Sequence, residues 1–264
     1  MFYPEAIQMW SSKIIYKIER GYMEIENKIL NIAHRGASEN YPENTIMAFE
    51  KAIEMGADML EVDLRLSKDG QVVVFHDGKV RVRNNQKKAI YELTLAEIKD
   101  VELDKNQRIP TFKEILSEFK DRCRFYIDLK GETALEYAIA ILVEENCINC
   151  AILGVSNPAL IEKARMLSRD ISISLLVKLN KMDKTFELGK KYKPDYLHPC
   201  WENFSETPSS LLTKDFFKKA KEGNFGIVTW HEENEEELIN LSSLPVHGIC
   251  TDKPGLLSKI LEKI

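Results

Sequence analysis

The sequence lacks the features that mark secreted and membrane-spanning proteins. No stretch approaches the roughly 18 consecutive apolar residues of a transmembrane helix, and the N-terminal region has no basic segment followed by an apolar core, as a secretory signal would. The five cysteines are scattered and odd in number. We therefore expect a cytoplasmic protein with reduced thiols. Cys147 and Cys150 are then close in sequence by coincidence, since no second Cys/His pair stands at zinc-site spacing.

A strongly basic composition is also missing. The 264 residues carry a formal net charge of −5, with 44% hydrophobic and 30% charged residues. A general nucleic-acid-binding protein would be basic, so we expect no nucleic-acid partner, although a local positive pocket for a small anionic substrate stays open. The length suits one large domain or two modest ones, with a sizeable core.

Short apolar runs alternate with helical patterns from residue 29 onward. A doubly wound open sheet would also alternate in this way, but the glycine-rich phosphate loop that would support it is missing. Eight strands alternating with helices instead predict a (β/α)8 barrel. The predicted strands are 29–33, 59–64, 124–129, 151–155, 172–177, 196–200, 225–230 and 246–251, and most are separated by helical patterns.

The segment MLEVDLRLSKDGQVVVFHDG interrupts the alternation. Its two strand-like runs are separated only by Lys68-Asp69-Gly70, which is too short for a parallel crossover and typical of a β-hairpin. A turn centred on Asp69-Gly70 predicts that Asp63 lies opposite His76, with Glu61 further along the same face. We therefore expect a hairpin after strand 2 that brings a histidine beside two carboxylates.

Acidic residues stand on two of the predicted barrel strands. Glu61 and Asp63 alternate with apolar residues on one strand, and Asp128 precedes Lys130 at the end of another. Crowded carboxylates repel unless a cation intervenes, and their oxygens are the ligands that Mg2+ and Ca2+ prefer. A solvent-facing charged strand and an ordinary strand-end ion pair are the plainer interpretations. A metal site is the functional one, with Lys130 neutralising a bound anion.

His34 and Arg35 end the first predicted strand, and His76 ends the hairpin. A single strand-end histidine is more often a hydrogen-bonded structural residue. Barrel enzymes, however, place their sites at the carboxyl ends of their strands. Arginine matches phosphate oxygens, and two histidines can act as base and acid on opposite sides of a phosphorus. With a divalent cation to stabilise phosphoryl charge, these residues predict metal-assisted phosphodiester cleavage.

The stretch AHRGASENYPENTIMAFEKAIEMGADMLEVDLRLSKDGQVVVFHD (33–77) resembles the signature of the glycerophosphodiester phosphodiesterase family. The motifs HRG, PENT, GAD, ExD, KDG and HD stand in the family's order and at its spacing. Weaker similarities follow at Ile109-Pro110-Thr111, Asp128-x-Lys130 and Thr251-Asp252-Lys253-Pro254. The resemblance covers residues 29–258, and we expect 29–264 to be one catalytic domain.

This resemblance implies a distorted TIM barrel that hydrolyses glycerophosphodiesters to sn-glycerol 3-phosphate and an alcohol. It implies that His34 and His76 are the acid/base pair, that the glycerol 2-hydroxyl attacks phosphorus, and that water then opens the cyclic phosphate. Gly36 is expected to let the backbone approach the phosphate closely. The remaining roles that it implies are substrate binding by Arg35, Lys130 and Trp230, support from Glu43, and binding of one Mg2+ or Ca2+ ion by Glu61, Asp63 and Asp128.

The sequence departs from the family pattern in four places. Asp128 stands where the family usually has Glu, and GKVRVRNNQKKA (78–89) replaces a stretch usually containing Arg-Thr-Thr and glycines. His231-Glu232-Glu233 follows Trp230 in place of Thr-Val-Asn, and His247 precedes Gly248 in place of Asp. These differences leave open the metal preference and the substrate contacts of the 78–89 loop.

Residues 1–28 precede the resemblance and are expected to form an amphipathic helix, with Ile14, Ile15 and Ile18 on one side. This extension could cap the barrel, pack on a second copy of the chain in a homo-oligomer, or lie on a membrane surface. The extension and the 78–89 loop keep open a lysophospholipase D-like activity on longer lipids. A non-catalytic phosphodiester-binding barrel is the alternative from another class, and a Schiff-base barrel using Lys130 leaves His34 without a role.

Overall fold

Eight of the described strands run parallel and close into a barrel, as predicted. The computed structural model describes residues 28–264 except 84, 179–181 and 202–204, with the backbone alone at 17–19, 22–24 and 182–183. Each barrel strand pairs with the next, and the last pairs with the first through Gly248 and Leu30, which closes the ring. In chain order the barrel strands are β1 Leu30–Ala33, β2 Met59–Leu66, β3 Arg124–Leu129, β4 Ala151–Val155, β5 Ser172–Lys178, β6 Tyr196–Cys200, β7 Gly226–Thr229 and β8 Gly248–Thr251.

Helices alternate with the barrel strands. The hydroxyls of Thr45, Thr111 and Thr213 each accept the backbone N–H three residues further on, which pairs a donor that the helix itself leaves unpaired. None of the described helices combines the length and apolar character needed to cross a membrane. The helices span Ile46–Glu54, Leu95–Lys99, Phe112–Phe119, Leu135–Glu144, Ala159–Leu167, Met182–Tyr192, Lys214–Glu222, Glu235–Ser242 and Pro254–Leu261.

Alternation along β2 decides where its carboxylates point. Leu60 and Val62 belong to the large apolar cluster between the strands and the outer helices, whereas Met59 belongs to the smaller cluster inside the barrel. Successive side chains on a strand face opposite sides, so Glu61 and Asp63 point into the barrel together with Met59. Both carboxylates are fully buried, and the solvent-facing interpretation of this strand is therefore wrong.

The hairpin predicted after β2 forms, but its register differs from the prediction by one residue. Leu64 pairs with Val74, and the Phe75 N–H donates to the Asp63 carbonyl at 2.9 Å. Asp63 therefore lies opposite Phe75, where the sequence predicted His76. The reason is a three-residue connection in place of a two-residue turn, with Gly70 in the left-handed region at φ +78°, as such loops require.

The long strand β2 carries part of the chain beyond the barrel. The Lys130 N–H, just past the end of β3, donates to the Leu64 carbonyl, so the strand rises above its neighbour from residue 65 onward. We call residues 65–110 the rim lobe. This lobe stands at the carboxyl end of the barrel and has an apolar cluster of its own, formed by Val73, Val80, Ile90, Leu93, Ile98, Val101 and Ile109.

The extension expected as a helix at 1–28 lies mostly outside the described residues. Its two described pieces, Lys17–Glu19 and Tyr22–Glu24, form an antiparallel strand pair, so at these six residues the structure differs from the predicted helix. The residues Lys17-Ile18-Glu19 alternate between charged and apolar with a period of two, which is typical of a strand.

The prediction of five reduced thiols is wrong for two of them. Cys147 and Cys150 form a disulfide, with their Cα atoms 5.1 Å apart. The one-turn helix at Ile148–Cys150 brings the two side chains together. Cys123, Cys200 and Cys250 form no disulfide within the described residues and keep reduced thiols.

Candidate active site

The sequence HRG forms a turn at the carboxyl end of β1. Arg35 and Gly36 both take left-handed backbone angles, with φ of +56° and +86°. A Cβ atom on Gly36 would lie 2.7 Å from the carbonyl carbon of Ala48 in the first helix, closer than real Cβ contacts allow. Glycine is needed here so that the turn can pack against that helix, which is a different reason from the close approach to phosphate expected from the sequence.

The turn and the two neighbouring strands gather three carboxylates. Oxygens of Glu61, Asp63 and Asp128 lie within 4.8 Å of one another, and all three residues are buried. Glu61 also accepts a 2.9 Å hydrogen bond from the Arg35 backbone N–H. Glu61 Oε1 and Asp63 Oδ1 are buried and have no hydrogen-bond partner among the described residues. The structure thus brings together the three carboxylates that the sequence singled out.

Two cations lie against this acidic group. Arg35 Nε is 3.1 Å from an Asp63 oxygen, and Arg35 Nη1 donates to Glu43 Oε2 at 2.9 Å. Lys130 Nζ donates to Asp128 Oδ2 at 2.5 Å and is 3.1 Å from Asp63 Oδ1. Glu43 therefore holds the guanidinium from outside, in the supporting position expected of it.

The pKa values of the three carboxylates are shifted by burial and by the neighbouring charges. Burial raises the pKa of Glu61 well above its usual range, and the charges of Asp63 and Asp128 raise it further. Burial also raises the pKa of Asp128. For Asp63 burial acts in the same direction, but Lys130 and Arg35 outweigh it and its pKa is lowered. Two cations offset three carboxylates incompletely, so this group fits a divalent cation that oxygen ligands prefer.

His34 is buried at the centre of a second group of side chains. Its Nδ1 lies 2.7 Å from Asp252 Oδ1, and the Ser38 hydroxyl, with one proton to donate, lies 2.7 Å from that oxygen and 2.7 Å from the His34 carbonyl oxygen. Burial lowers the pKa of His34, although the hydrogen bond to Asp252 raises it in part. Burial alone would raise the pKa of Asp252, but the His34 hydrogen bond prevails and lowers it to about 2.

These two pKa directions define the tautomer of His34. The Asp252 carboxylate is ionised and can only accept a hydrogen bond, so Nδ1 of the neutral imidazole carries the proton. Nε2 is then the unprotonated nitrogen. It is buried without a hydrogen-bond partner in the described part of the chain, which is the condition of a base ready for a proton.

His76 lies where the hairpin returns to the rim, half-buried. Its Nδ1 is 3.0 Å from Asp77 Oδ1. Its backbone is held by Arg65, whose Nε and Nη2 donate to the His76 carbonyl at 2.9 and 2.5 Å. Arg65 Nη1 also donates to the Lys130 carbonyl at 3.3 Å.

Trp230 and His231 cover the remaining side of His34. The Trp230 ring meets the imidazole edge-on, with centroids 5.1 Å apart, and Lys130 Nζ lies 5.9 Å from the Trp230 ring centroid. The His231 ring stacks on His34 at 4.5 Å, and its Nδ1 is 2.8 Å from Glu233. Every residue that the sequence singled out for the site is therefore found in one region.

Sequence reasoning missed several residues that position this site. Asn44 donates to Asp63 Oδ2 at 2.7 Å from a left-handed backbone with φ of +57°. Asp252 stood in a motif noted only as a weak similarity, and His231 stood at a departure from the family pattern. Arg65 had no signal of its own, since an arginine on a strand is ordinarily a solvent-facing residue.

A closed parallel barrel with histidines, carboxylates and cations gathered at its carboxyl rim is the arrangement of a barrel enzyme for an anionic substrate. Residues 34–256 match the model of the glycerophosphoryl diester phosphodiesterase family. The chain belongs to this family and is a phosphoric diester hydrolase. The alternative of a non-catalytic phosphodiester-binding barrel is accordingly not supported.

Relatives of this family align with most of the chain. The glycerophosphodiester phosphodiesterase of Caldanaerobacter subterraneus subsp. tengcongensis is 28% identical over 89% of this chain and 99% of its own length. A human lysophospholipase D is 32% identical over 88% of this chain and 85% of its own length. The crystal structure of the Thermotoga maritima glycerophosphodiester phosphodiesterase, 27% identical, superposes with a TM-score of 0.72 over 88% of this chain and 98% of that chain.

Proposed function

We propose that the protein hydrolyses glycerophosphodiesters to sn-glycerol 3-phosphate and an alcohol, with one divalent cation, Mg2+ or Ca2+, and two histidines. The observation that carries the proposal is the buried group of Glu61, Asp63 and Asp128, in which Glu61 Oε1 has no hydrogen-bond partner in the described part of the chain. A buried polar atom without a partner is costly and indicates a place where a ligand binds.

The three carboxylates would hold the cation, and the cation supplies positive charge that stabilises the charge developing on the phosphoryl oxygens. Arg35 and Lys130 line the same region and would bind the remaining phosphate oxygens. Arginine's planar fork suits this role, and Lys130 remains charged because the neighbouring carboxylates raise its pKa further than burial lowers it. Trp230 forms the apolar wall beside His34 against which the glycerol carbons would pack.

His34 is the proposed general base in the first step. Its Nε2 takes the proton of the glycerol 2-hydroxyl as that oxygen attacks phosphorus, and Asp252 stabilises the imidazolium that forms. His76 gives its proton to the leaving alcohol oxygen as the bond from phosphorus to that oxygen breaks. The product of the step is a cyclic phosphate, with protonated His34 and neutral His76.

The second step restores both histidines. Neutral His76 takes a proton from water as the water oxygen attacks phosphorus, and protonated His34 returns a proton to the 2-oxygen as the ring opens. The vicinal hydroxyl is a nucleophile already positioned within the substrate, which explains a preference for glycerol-based diesters. The substrate is thus a small molecule, and the net charge of −5 does not favour nucleic acid.

A single assay tests the proposal. Purified protein is incubated with glycerophosphocholine and either Mg2+ or Ca2+, with a chelator in the control, and released glycerol 3-phosphate is measured. We expect release with one or both metals and loss of release with the chelator. The proposal fails if neither metal supports release from any glycerophosphodiester or lysolipid.

A lysophospholipase D activity is the second candidate, favoured by the 32% identity to the human enzyme of that name. The same phosphodiester chemistry would serve if the rim lobe leaves room for an acyl chain. The ratio of kcat/KM for lysophosphatidylcholine to kcat/KM for glycerophosphocholine separates the two candidates. A ratio above one favours the lipid substrate, and a ratio well below one favours the water-soluble diester.

A further inference from the structure

We propose that the outer face of a short antiparallel ribbon in the rim lobe docks the protein onto anionic phospholipid surfaces. The ribbon pairs Lys79–Arg81 with Lys87–Ala89. Docking is a property of this surface and does not depend on the proposed hydrolysis, so the two can be tested separately.

The ribbon has one buried face and one exposed face. Val80 is buried in the apolar cluster of the rim lobe. Since neighbours on a strand point to opposite sides, Lys79 and Arg81 point away from that cluster, and Lys87 shares their face because it pairs with Arg81. All three side chains are exposed. The solvent-facing side of the ribbon is therefore a compact row of three cations.

This concentration of positive charge is unusual for the chain. Residues 79–88 contain five Lys and Arg and no Asp or Glu, in a protein of net charge −5. Arg81 lies directly opposite Lys87, and like charges in that relation destabilise a ribbon. Within the described residues neither Lys79 nor Lys87 forms an ion pair, and Arg81 binds only the neutral Asn85. An external anion would relieve this repulsion.

Nearby acidic side chains are already engaged elsewhere. Glu92 accepts the Ala89 backbone N–H at 3.1 Å, and Asp100 pairs with Arg83 at 3.4 Å. The cations of the outer face are thus left for a partner outside the chain. Lys and Arg side chains close to a bilayer surface are attracted to anionic lipid headgroups, at roughly a fivefold gain in partitioning for each charge.

The ribbon also lies close to the catalytic rim. Its base is closed by a hydrogen bond from the Ile90 N–H to the Gly78 carbonyl, and Gly78 is two residues beyond His76. Tyr91, which follows the ribbon, is 70% exposed, and an exposed tyrosine suits the polar boundary of a bilayer. A bilayer docked on this face would bring its lipid headgroups beside the active-site entrance.

A nucleic acid is the less fitting polyanion. Single-stranded nucleic-acid sites combine a cationic groove with aromatic rings on which bases stack. The exposed side chains of the ribbon's outer face are Lys79, Arg81 and Lys87, so the face offers no aromatic ring on which a base could stack.

The test compares vesicle binding by sedimentation for three forms of the full chain. The first is the natural sequence, and the second carries Lys79→Gln, Arg81→Gln and Lys87→Gln. The third carries Lys214→Gln, Lys218→Gln and Lys221→Gln, which remove the same charge from exposed positions on the helix Lys214–Glu222. Vesicles contain phosphatidylglycerol with phosphatidylcholine, or phosphatidylcholine alone, and a short oligonucleotide serves as a competing polyanion.

We expect the natural sequence to bind to the anionic vesicles only. Binding should be lost between about 0.1 M and about 1 M salt, because the electrostatic screening length becomes shorter. The ribbon variant should bind roughly a hundredfold more weakly, while the helix variant should change little. Equal binding by the ribbon variant, equal losses in both variants, binding to neutral vesicles, or preference for the oligonucleotide would each overturn the proposal. Circular dichroism confirms that all three forms are folded, and none of these readouts requires turnover.

Discussion

Replacing Asp252 by Asn tests the assignment of His34 most directly. The change keeps the size of the side chain but removes the charge that accepts the His34 Nδ1 proton at 2.7 Å. An asparagine can also turn its NH2 group toward Nδ1, which would place the imidazole proton on Nε2 instead. Both effects remove the base without touching the acidic group on β2 and β3.

The size of the effect follows from the hydrogen bond. A hydrogen bond to a charged partner contributes roughly 1.5–3 kcal/mol, and about 1.4 kcal/mol is a factor of ten in rate. We therefore expect kcat/KM for glycerophosphocholine to fall roughly 10- to 150-fold. The pH dependence should also move, because Asp252 raises the pKa of His34, and its loss lowers that pKa further.

The direction of this shift in the pH profile follows from the role of His34 as a base. A base works only in its neutral form, so activity declines as pH falls through the His34 pKa, already below the usual 6.5 because of burial. In the Asp252→Asn variant the declining limb of kcat/KM should lie at still lower pH. The control is Asp77→Asn, whose carboxylate beside His76 is 71% exposed and should matter by about threefold or less. A variant that kept the natural kcat/KM and the natural limb would refute the assignment.

Three further changes give sharp outcomes. His76→Ala should abolish release of glycerol 3-phosphate while the circular dichroism spectrum stays unchanged, and near-natural turnover would remove His76 from the mechanism. Arg65→Met should lower kcat roughly ten- to a hundredfold with little change in KM, and Arg65→Lys should recover part of it; an unchanged kcat would show that its bonds to the His76 and Lys130 carbonyls do not position the site. Gly36→Ala should lower the free energy of unfolding by about 2–4 kcal/mol in urea. Gly70→Ala, with a similar positive φ but 3.6 Å of room, should cost about 1 kcal/mol, and equal losses would mean that the contact with Ala48 is unimportant.

The barrel was predictable because its signals are local. Each barrel strand is a short apolar run between helical patterns, and parallel pairing in the expected order needs no information beyond that alternation. The register of the hairpin was not predictable to the residue. A two-residue and a three-residue connection both accept the sequence Lys68-Asp69-Gly70, and the choice between them depends on how Ser67 and Gln71 pair.

The site residues were predictable where the residue type itself indicates a chemical role. Carboxylates at β2 and β3, with a histidine and an arginine after β1, directly indicated the buried acidic group and the side chains that lie beside it. Residues that act on other site residues were harder to find, because Asp252, Asn44 and Arg65 have common structural roles elsewhere. The packing role of Gly36 could not be predicted from the sequence either, because the contact with Ala48 exists only once the first helix is packed.

The separate apolar cluster of the rim lobe has a consequence for how such enzymes diverge. Because Val80 and its neighbours form an apolar cluster separate from the barrel core, substitutions on the lobe surface need not disturb the buried carboxylates Glu61, Asp63 and Asp128. One strand, β2, belongs to both parts and keeps them in register. Evolution can therefore alter what surrounds the entrance, such as 78–89, while the reaction centre is inherited unchanged.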